Sequence, residues 1–97
     1  MAKLLISRRA RADFKRIWRY VALDDEAAAN RLLVKIGAKI ERLRDFPHLG
    51  GARDDVRPGA RSLVDGRYVV LYEYDAVTEL VEIIAVVEGG RDFNQLF

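Results

Sequence analysis

The amino-acid sequence predicts an α+β fold, in which a first strand and a helical hairpin precede a three-stranded antiparallel meander, with the helices on one face of the sheet. Apolar residues recur at spacings of three and four in the first half of the chain, as in amphipathic helices. They alternate at every second position in the last third, as in half-buried strands. Residues 47–60, between these halves, hold both prolines and three glycines, which predicts a loop. The length of 97 residues predicts one domain, residues 1–97.

The N-terminal half predicts a strand and two helices. Lys3–Ile6 is a short apolar run, and Ser7 is a candidate N-cap for the helix that follows. Asp24 is the candidate N-cap of the second helix, which ends near Phe46 because Pro47 disfavours helical geometry at the preceding residue. The two apolar stripes contain Ala10, Phe14, Ile17, Trp18 and Val21, and then Ala29, Leu32, Leu33, Ile36, Ile40 and Leu43.

The C-terminal third predicts three strands, Arg61–Val64, Tyr68–Tyr74 and Leu80–Val87. Asp65-Gly66 is a two-residue hairpin signal. Counting outward from the turns places Leu63 opposite Tyr68, Tyr72 opposite Val81, Val70 opposite Ile83, and Tyr68 opposite Ala85, all on the side that the helices cover. The outer side then carries Val64, Arg67, Val69, Leu71, Glu73, Leu80, Glu82, Ile84 and Val86. Because half of these residues are apolar, we expect residues 93–97, a partner, or both to cover this side.

The composition excludes several kinds of site. The chain has no cysteine, which removes disulfides and thiolate chemistry, and its one histidine, His48, cannot build a zinc or iron cluster. We therefore expect neither a metal nor a cofactor. No apolar stretch approaches the length of a signal-peptide core or a membrane span. We expect a cytoplasmic protein without membrane contact.

Charge is unevenly distributed along the chain. Residues 1–68 contain sixteen basic and nine acidic residues, a net charge of +7, whereas residues 69–97 contain one basic and six acidic residues, a net charge of −5. Thirteen of the seventeen basic residues are arginine, which forms planar, bidentate pairs with carboxylates and phosphates. An acidic protein segment and a nucleic acid are both compatible partners. A solvated helical surface would explain the same arginines without a partner.

A few residues are candidates for chemistry or for direct contact with a ligand. His48, in the predicted loop, is either a general base or an ordinary turn residue. Arg67 either steadies a phosphate or pairs with Glu88 or Asp65. The tyrosines of the central strand are either stacking platforms for bases or core residues, and the expected register favours the core.

Four short motifs follow one another along the chain. The first helix carries the spacing Ser7…Ala10…Asp13-Phe14…Ile17…Tyr20, and the segment after the second helix reads Phe46-Pro-His-Leu-Gly50. Arg67…Tyr72 follows in the central strand, and Gly90-Arg91-Asp92 comes near the C-terminus. In this order, over residues 3–92, the chain resembles the ParE/RelE superfamily of toxins from type II toxin–antitoxin systems. The resemblance implies the α+β fold described above.

The resemblance leaves two mechanisms to compare. RelE-like members are ribosome-dependent mRNA endonucleases, whose cleavage needs a base, an acid and cations around one phosphate. In such a nuclease Arg67, Glu88 and His48 would be the catalytic residues. The acid or base that the family carries near the end of the last strand, often His or Tyr, is missing here, where the chain reads Val86-Val87-Glu88-Gly89. The resemblance therefore favours the ParE-like subgroup, which poisons DNA gyrase without chemistry of its own and arrests growth. A non-toxic RNA-binding module and a degenerate toxin, kept only as an interaction partner, are also compatible with the sequence.

The resemblance also implies partners: DNA gyrase as target, and a cognate ParD-like antitoxin whose acidic segment folds onto the toxin. Direct binding of nucleic acid stays open. The residues that we expect to contact partners are Arg8, Arg11, Arg16, Val64, Arg67, Val69, Leu71, Ile84, Val86, Arg91, Phe93 and Phe97.

Overall fold

The structure, a computed structural model, describes residues 1–89 of the chain. Its elements are β1 (Lys3–Ile6), α1 (Arg8–Ala22), α2 (Glu26–Glu41), a 3-10 turn (Arg42–Arg44), β2 (Gly51–Ala52), β3 (Ala60–Asp65), β4 (Tyr68–Asp75) and β5 (Leu80–Glu88). The strands form one sheet in the order β1-β5-β4-β3-β2. β1 runs parallel to β5, and the other neighbours are antiparallel. The predicted α+β class is confirmed, and the two-residue strand β2 is an addition within the predicted loop.

Both helices begin at a side-chain cap. Ser7 caps α1 as predicted, because its hydroxyl accepts a hydrogen bond from the Ala10 amide at 3.0 Å. The cap of α2 is Asp25 rather than the predicted Asp24. Asp25 has extended backbone angles, and its carboxylate accepts from the Ala28 amide at 3.1 Å. No helix in residues 1–89 is long and apolar enough to cross a membrane.

The hydrophobic core lies between the two helices and one side of the sheet, called here the helix side. Its buried members are Ala2, Ala10, Ile17, Ile36, Ile40, Leu43, Leu63, Tyr68, Val70, Tyr72, Val81, Ile83 and Val86. The predicted packing role of Tyr68 and Tyr72 is therefore confirmed. Trp18 is half-buried, and its indole N–H donates to the Asn30 side chain at 2.8 Å.

Both hairpins are shifted by two residues from the predicted register. Asp65 pairs with Tyr68, so the first turn is Gly66-Arg67, with Gly66 at a φ of 58° that glycine adopts without strain. Leu63 accordingly pairs with Val70 rather than Tyr68. In the second hairpin Tyr72 pairs with Ile83 rather than Val81. A shift of two residues keeps each side chain on the predicted side of the sheet.

A β-bulge changes the sides beyond this point. Tyr72 pairs with Ile83 but Leu71 pairs with Ala85, so Ile84 is an extra residue in β5. One inserted residue exchanges the two sides of the strand that follows. Val86 consequently lies in the core and Ala85 on the outer side, so the predicted sides of these two residues were wrong.

The outer side is covered in part by the loop of residues 53–59, called here the outer loop. Val56 packs on Val69 and Val87, and the Arg57 guanidinium lies 2.8 Å from the Glu73 carboxylate. This loop is a cover that was not predicted. Residues 93–97, which were predicted to cover this side, lie outside the described residues.

The Phe46–Gly50 segment is tied to the sheet by Tyr72. The Tyr72 hydroxyl donates to the Pro47 carbonyl and accepts from the Gly50 amide, both at 2.8 Å. Arg61 donates to the carbonyls of Gly50 and His48. A Cβ on Gly50 would lie 2.6 Å from the Ser62 carbonyl oxygen, so only glycine fits there. This motif is a structural anchor between loop and sheet.

Asp65, at the end of β3, is buried with two lysines of α2 above it. Lys39 Nζ lies 3.1 Å and Lys35 Nζ 3.3 Å from its carboxylate. Burial acts to raise the pKa of Asp65, but the hydrogen bonds and charges of Lys39 and Lys35 outweigh it, and the pKa falls below the ordinary 3.8. The ionised carboxylate therefore stabilises the fold by linking α2 to the first hairpin.

We expect Asp65→Asn to lower the free energy of unfolding by about 1 kcal/mol at pH 7, since pairs with exposed lysines contribute under about 1 kcal/mol each. A carboxylate whose pKa is lowered on folding stabilises the folded state at pH values above its ordinary pKa of 3.8. This stabilisation is lost as the pH falls through the folded-state pKa. The difference in Tm between wild type and variant should therefore be constant from pH 5 to 8 and shrink below about pH 4. Thermal melts across this range measure it, with the exposed Asp45→Asn as control. A difference that grows on acidification would contradict the assignment.

Candidate functional site

Asp13 is the one carboxylate that α1 turns toward the sheet. The residue is 2% exposed, and Oδ2 accepts a hydrogen bond from the backbone amide of Val86 at 3.0 Å. Arg16 lies 2.7 Å from Oδ1 and Arg9 lies 3.6 Å from Oδ2. Both arginines are on the same helix at spacings of three and four, so helical geometry itself brings them to Asp13.

Ser7 makes a second contact between α1 and the bulge. Besides capping the helix, its hydroxyl donates to the carbonyl of Ile84 at 2.9 Å. The pairing of β1 with β5 ends at Ile83, just before the bulge, so backbone groups of β5 beyond this point need another partner on that side. Ser7 binds a carbonyl and Asp13 binds an amide in this part of β5, so α1 supplies partners where the pairing with β1 has ended.

An open cleft of about 680 Å³ lies between α1 and the C-terminal end of β5, and is called here the α1–β5 cleft. Its described lining consists of Arg9, Asp13, Arg16, Ile17, Tyr20, Tyr68, Val86, Val87 and Glu88. One wall is therefore cationic and the floor is apolar. Among residues 1–89, no three His, Asp or Glu side chains lie close enough together to hold a metal ion.

Arg67 and Glu88 meet at the rim of this cleft. The Arg67 guanidinium lies 3.5 Å from the Glu88 carboxylate, and the two side chains are 68% and 42% exposed. Of the two ion-pair partners predicted for Arg67, the structure brings Glu88 to it, while Asp65 pairs with lysines. The amide of Gly89 also donates to the Arg67 carbonyl at 2.6 Å, which closes the end of the β4–β5 ladder.

His48 lies at the other end of the sheet. Its ring packs edge-on against Tyr74, with centroids 5.4 Å apart, whereas Glu88 pairs with Tyr68. Six residues of extended strand separate Tyr68 from Tyr74, which is roughly 20 Å. The structure thus brings together Arg67 and Glu88 but not His48.

Comparison with known proteins identifies the family. A family model described as the ParE toxin of the type II toxin–antitoxin system parDE matches residues 4–93. The chain belongs to this ParE family. Toxin ParE3 of Caulobacter vibrioides is 31% identical over 90 residues, which are 92% of this chain and 88% of the relative. Toxin ParE1 of the same organism is 31% identical over 81 residues, which are 81% and 83% of the two chains.

Solved structures share the fold. A chain of the chromosomal ParDE system from P. aeruginosa matches with a TM-score of 0.74 at 22% identity, over 91% of this chain and 96% of that one. The RelBE2 toxin–antitoxin complex of Mycobacterium tuberculosis gives a TM-score of 0.60 at 19% identity, over 90% and 96% of the chains. The predicted ParE/RelE fold, ParE-like, is confirmed by the family match and these neighbours.

In this ParE-family chain, the residues expected to contact partners divide by exposure. Arg8, Arg11, Arg16, Val64 and Arg67 are exposed. Val69 is 6% exposed, and Leu71 and Val86 are 0% exposed, so these three offer no surface to a partner in this structure. Ile84 is half-buried, and Arg91, Phe93 and Phe97 lie outside the described residues. Val86 was misplaced because the bulge cannot be read from alternation alone.

Sequence reasoning missed the role of Asp13 in this ParE-family chain. Asp13 is part of the first-helix motif, but the motif alone does not predict which residue the carboxylate contacts. One signal was available: Asp13 lies among the buried positions of the α1 stripe, with Arg9 four residues before and Arg16 three residues after. An acid in that position is rarely buried unless it is paired.

We expect Asp13→Ala to lower the free energy of unfolding by about 1–3 kcal/mol, because the Val86 amide would be left buried without an acceptor. Arg16→Ala should cost under about 1 kcal/mol, since Arg16 is a mostly exposed partner of the same carboxylate. Urea denaturation measures both, and hydrogen exchange at the Val86 amide localises the effect. Equal losses of unfolding free energy in the two variants, with hydrogen exchange at Val86 unchanged, would show that the hydrogen bond from the Val86 amide to Asp13 does not contribute to stability.

Proposed function

We propose that this ParE-family protein is a toxin that poisons DNA gyrase, is neutralised by a cognate antitoxin, and carries out no chemistry of its own. The observation behind the proposal is the separation of the candidate nuclease residues. Arg67 and Glu88 lie at one end of β4, and His48 packs on Tyr74 at the other end.

RNA cleavage needs its groups around one phosphate. A general base and a general acid must each reach their proton within hydrogen-bond distance, and cations must contact the developing charge. A histidine about 20 Å from the Arg67–Glu88 pair cannot share a phosphate with it. The carboxylate of Glu88 is also engaged by Arg67. Both points support a binding role for Arg67 over a catalytic one.

We expect the purified protein, mixed with gyrase, supercoiled DNA and ATP, to accumulate cleaved DNA. Arg67→Ala should reduce this cleavage by a graded amount, because it weakens one contact of a larger surface. Glu88→Ala should have a mild effect, because no proton transfer depends on it. A nuclease would instead lose about 2–4 kcal/mol of barrier stabilisation with Arg67→Ala, a loss of order 10²–10³ in rate.

The control for this experiment is a ribosome-bound mRNA assay with the same protein samples. Cleavage of mRNA in the ribosomal A site, abolished by both Arg67→Ala and Glu88→Ala, would replace the gyrase proposal with the nuclease mechanism. Deletion of residues 94–97 is a companion variant, because the C-terminal residues are an expected gyrase contact. Its Tm must be measured alongside, so that a loss of fold is separated from a loss of contact.

The proposed antitoxin contact is an acidic segment that folds on the toxin surface. An apolar groove between α1 and α2 supports it, formed by Phe14, Trp18 and Leu33 with Lys15 and Arg19 at its edge. An amphipathic segment could place apolar side chains in this groove and acidic ones against the two cations. The neighbours solved as ParDE and RelBE2 are themselves toxin–antitoxin systems, which makes such a partner the expected one.

We expect antitoxin binding to slow hydrogen exchange along the groove side of α1 and at the Trp18 indole. Trp18→Ala should weaken the complex by about 2 kcal/mol or more, since a buried tryptophan at the centre of an interface is a typical hot spot. The exposed Val77→Ala, in the turn between β4 and β5, is the control and should leave affinity unchanged. Full affinity of the Trp18 variant, at unaltered Tm, would remove the groove from the proposed interface.

A further inference from the structure

One surface of α1 is formed by four exposed cations in a row, Arg8, Arg11, Lys15 and Arg19, called here the cationic row. Their spacings of three, four and four residues place them on one face of the helix, over an axial length of roughly 16 Å. No side-chain carboxylate lies within 4.0 Å of any of them among residues 1–89; Arg11 donates to the Ile6 carbonyl. The other cations of α1, Arg9 and Arg16, face Asp13 and the cleft instead.

Like charges at these spacings repel and destabilise an isolated helix. In the fold, Asp13 and the core contacts of the opposite face hold α1 in place despite this repulsion. The repulsion is relieved when a polyanion contacts the row.

The distribution of charge over the two sides of the molecule also favours binding of a polyanion to the row. The cationic row lies on the face of α1 opposite Asp13 and the cleft, while the outer side of the sheet carries Glu73 and Glu82, which are cross-strand neighbours, with Arg57 bound to Glu73. A polyanion is therefore attracted to the cationic row, whereas Glu73 and Glu82 offer it no favourable contact on the outer side.

The composition of the row favours a phosphate backbone over an acidic peptide. A peptide that folds on a surface needs apolar anchors, and within residues 1–89 the apolar groove reaches Lys15 and Arg19 but not Arg8 or Arg11. Arg8 and Arg11 lie beyond the groove, one to two turns nearer the N-terminus of the helix. A duplex presents one negative charge for about every 1.7 Å of its axis, so a straight row of this length spans enough phosphates for every cation.

We propose that the cationic row binds the phosphate backbone of double-stranded DNA without regard to sequence. A duplex fits better than a single strand, because the two aromatic side chains beside the row, Phe14 and Trp18, are half-buried, and Trp18 is bonded to Asn30, so neither stands free to stack on a base. The choice of DNA over RNA rests on the proposed action at gyrase, where the toxin meets DNA. An antitoxin segment in the groove covers Lys15 and Arg19, so it competes with DNA for half of the row.

The test measures binding of the full-length protein to a fluorescent 20-base-pair DNA duplex by anisotropy, between 50 and 200 mM KCl. Four phosphate contacts predict a slope of about −3.6 for log K against log [KCl], a roughly 150-fold loss of affinity over this range. The double variant Arg8→Gln/Arg19→Gln should bring the slope to about −1.8 and weaken binding at 50 mM KCl by about tenfold or more. Glutamine is a good helix former, so α1 should be retained, and urea denaturation checks this.

The matched control is Arg31→Gln/Arg42→Gln, which removes the same charge from exposed positions outside α1 and should leave the slope near the wild-type value. Equal effects of the two double variants would overturn the proposal, because net charge alone would then explain binding. Tighter binding of an RNA duplex, or binding of a polyglutamate peptide but not DNA, would also overturn it. The assay contains neither gyrase nor antitoxin. A protein that binds DNA through the row but fails to cause gyrase cleavage would therefore disprove only the proposed function.

Discussion

The hydrogen bond from the Val86 amide to the buried Asp13 carboxylate is the contact on which the arrangement of this fold depends. It joins residues 73 positions apart and holds α1 against β5 just past the bulge. A charged acceptor gives a net contribution of about 1.5–3 kcal/mol to stability, which is a large part of the 5–15 kcal/mol of a small domain. Arg9 and Arg16 compensate the buried charge. The same carboxylate thus orders the cationic wall of the α1–β5 cleft.

The Phe46–Gly50 segment illustrates how a family motif can be structural. The histidine within it suggests chemistry, yet its backbone is bound by Tyr72 and Arg61, and Gly50 fits only because it has no side chain. The motif therefore keeps the long loop after α2 attached to the sheet. The exposed residues that we propose contact other molecules are on α1 and at the rim formed by Arg67 and Glu88.

The fold was predictable because each element has a local signal. The periods of the helices, the Ser7 cap and the turn at Gly66 all act within a few residues, and all are present in the structure. The bulge at Ile84 was not predictable, since it is stabilised by Ser7 and Asp13, whose bonds to β5 span 77 and 73 positions. The α1–β5 cleft was not predicted for the same reason, because Val86, which lines it, was placed on the outer side of the sheet. By contrast, the pairing of Arg67 with Glu88 was anticipated, because both residues lie at the same end of one hairpin.

The parallel pairing of β1 with β5 has a consequence for synthesis of the chain. β1 is made before the helices and the other strands of the sheet, but its partner strand, β5, is made after all of these elements. At about 5–20 residues per second, the 77 positions from Ser7 to Ile84 take roughly 4–15 s to translate. Both helices are complete at Glu41, so for the last 43 of these positions, roughly 2–9 s, they lack the strand that receives Ser7 and Asp13 and their apolar faces lack part of the core. Every new copy therefore passes through an interval of several seconds in which aggregation competes with completion of the fold.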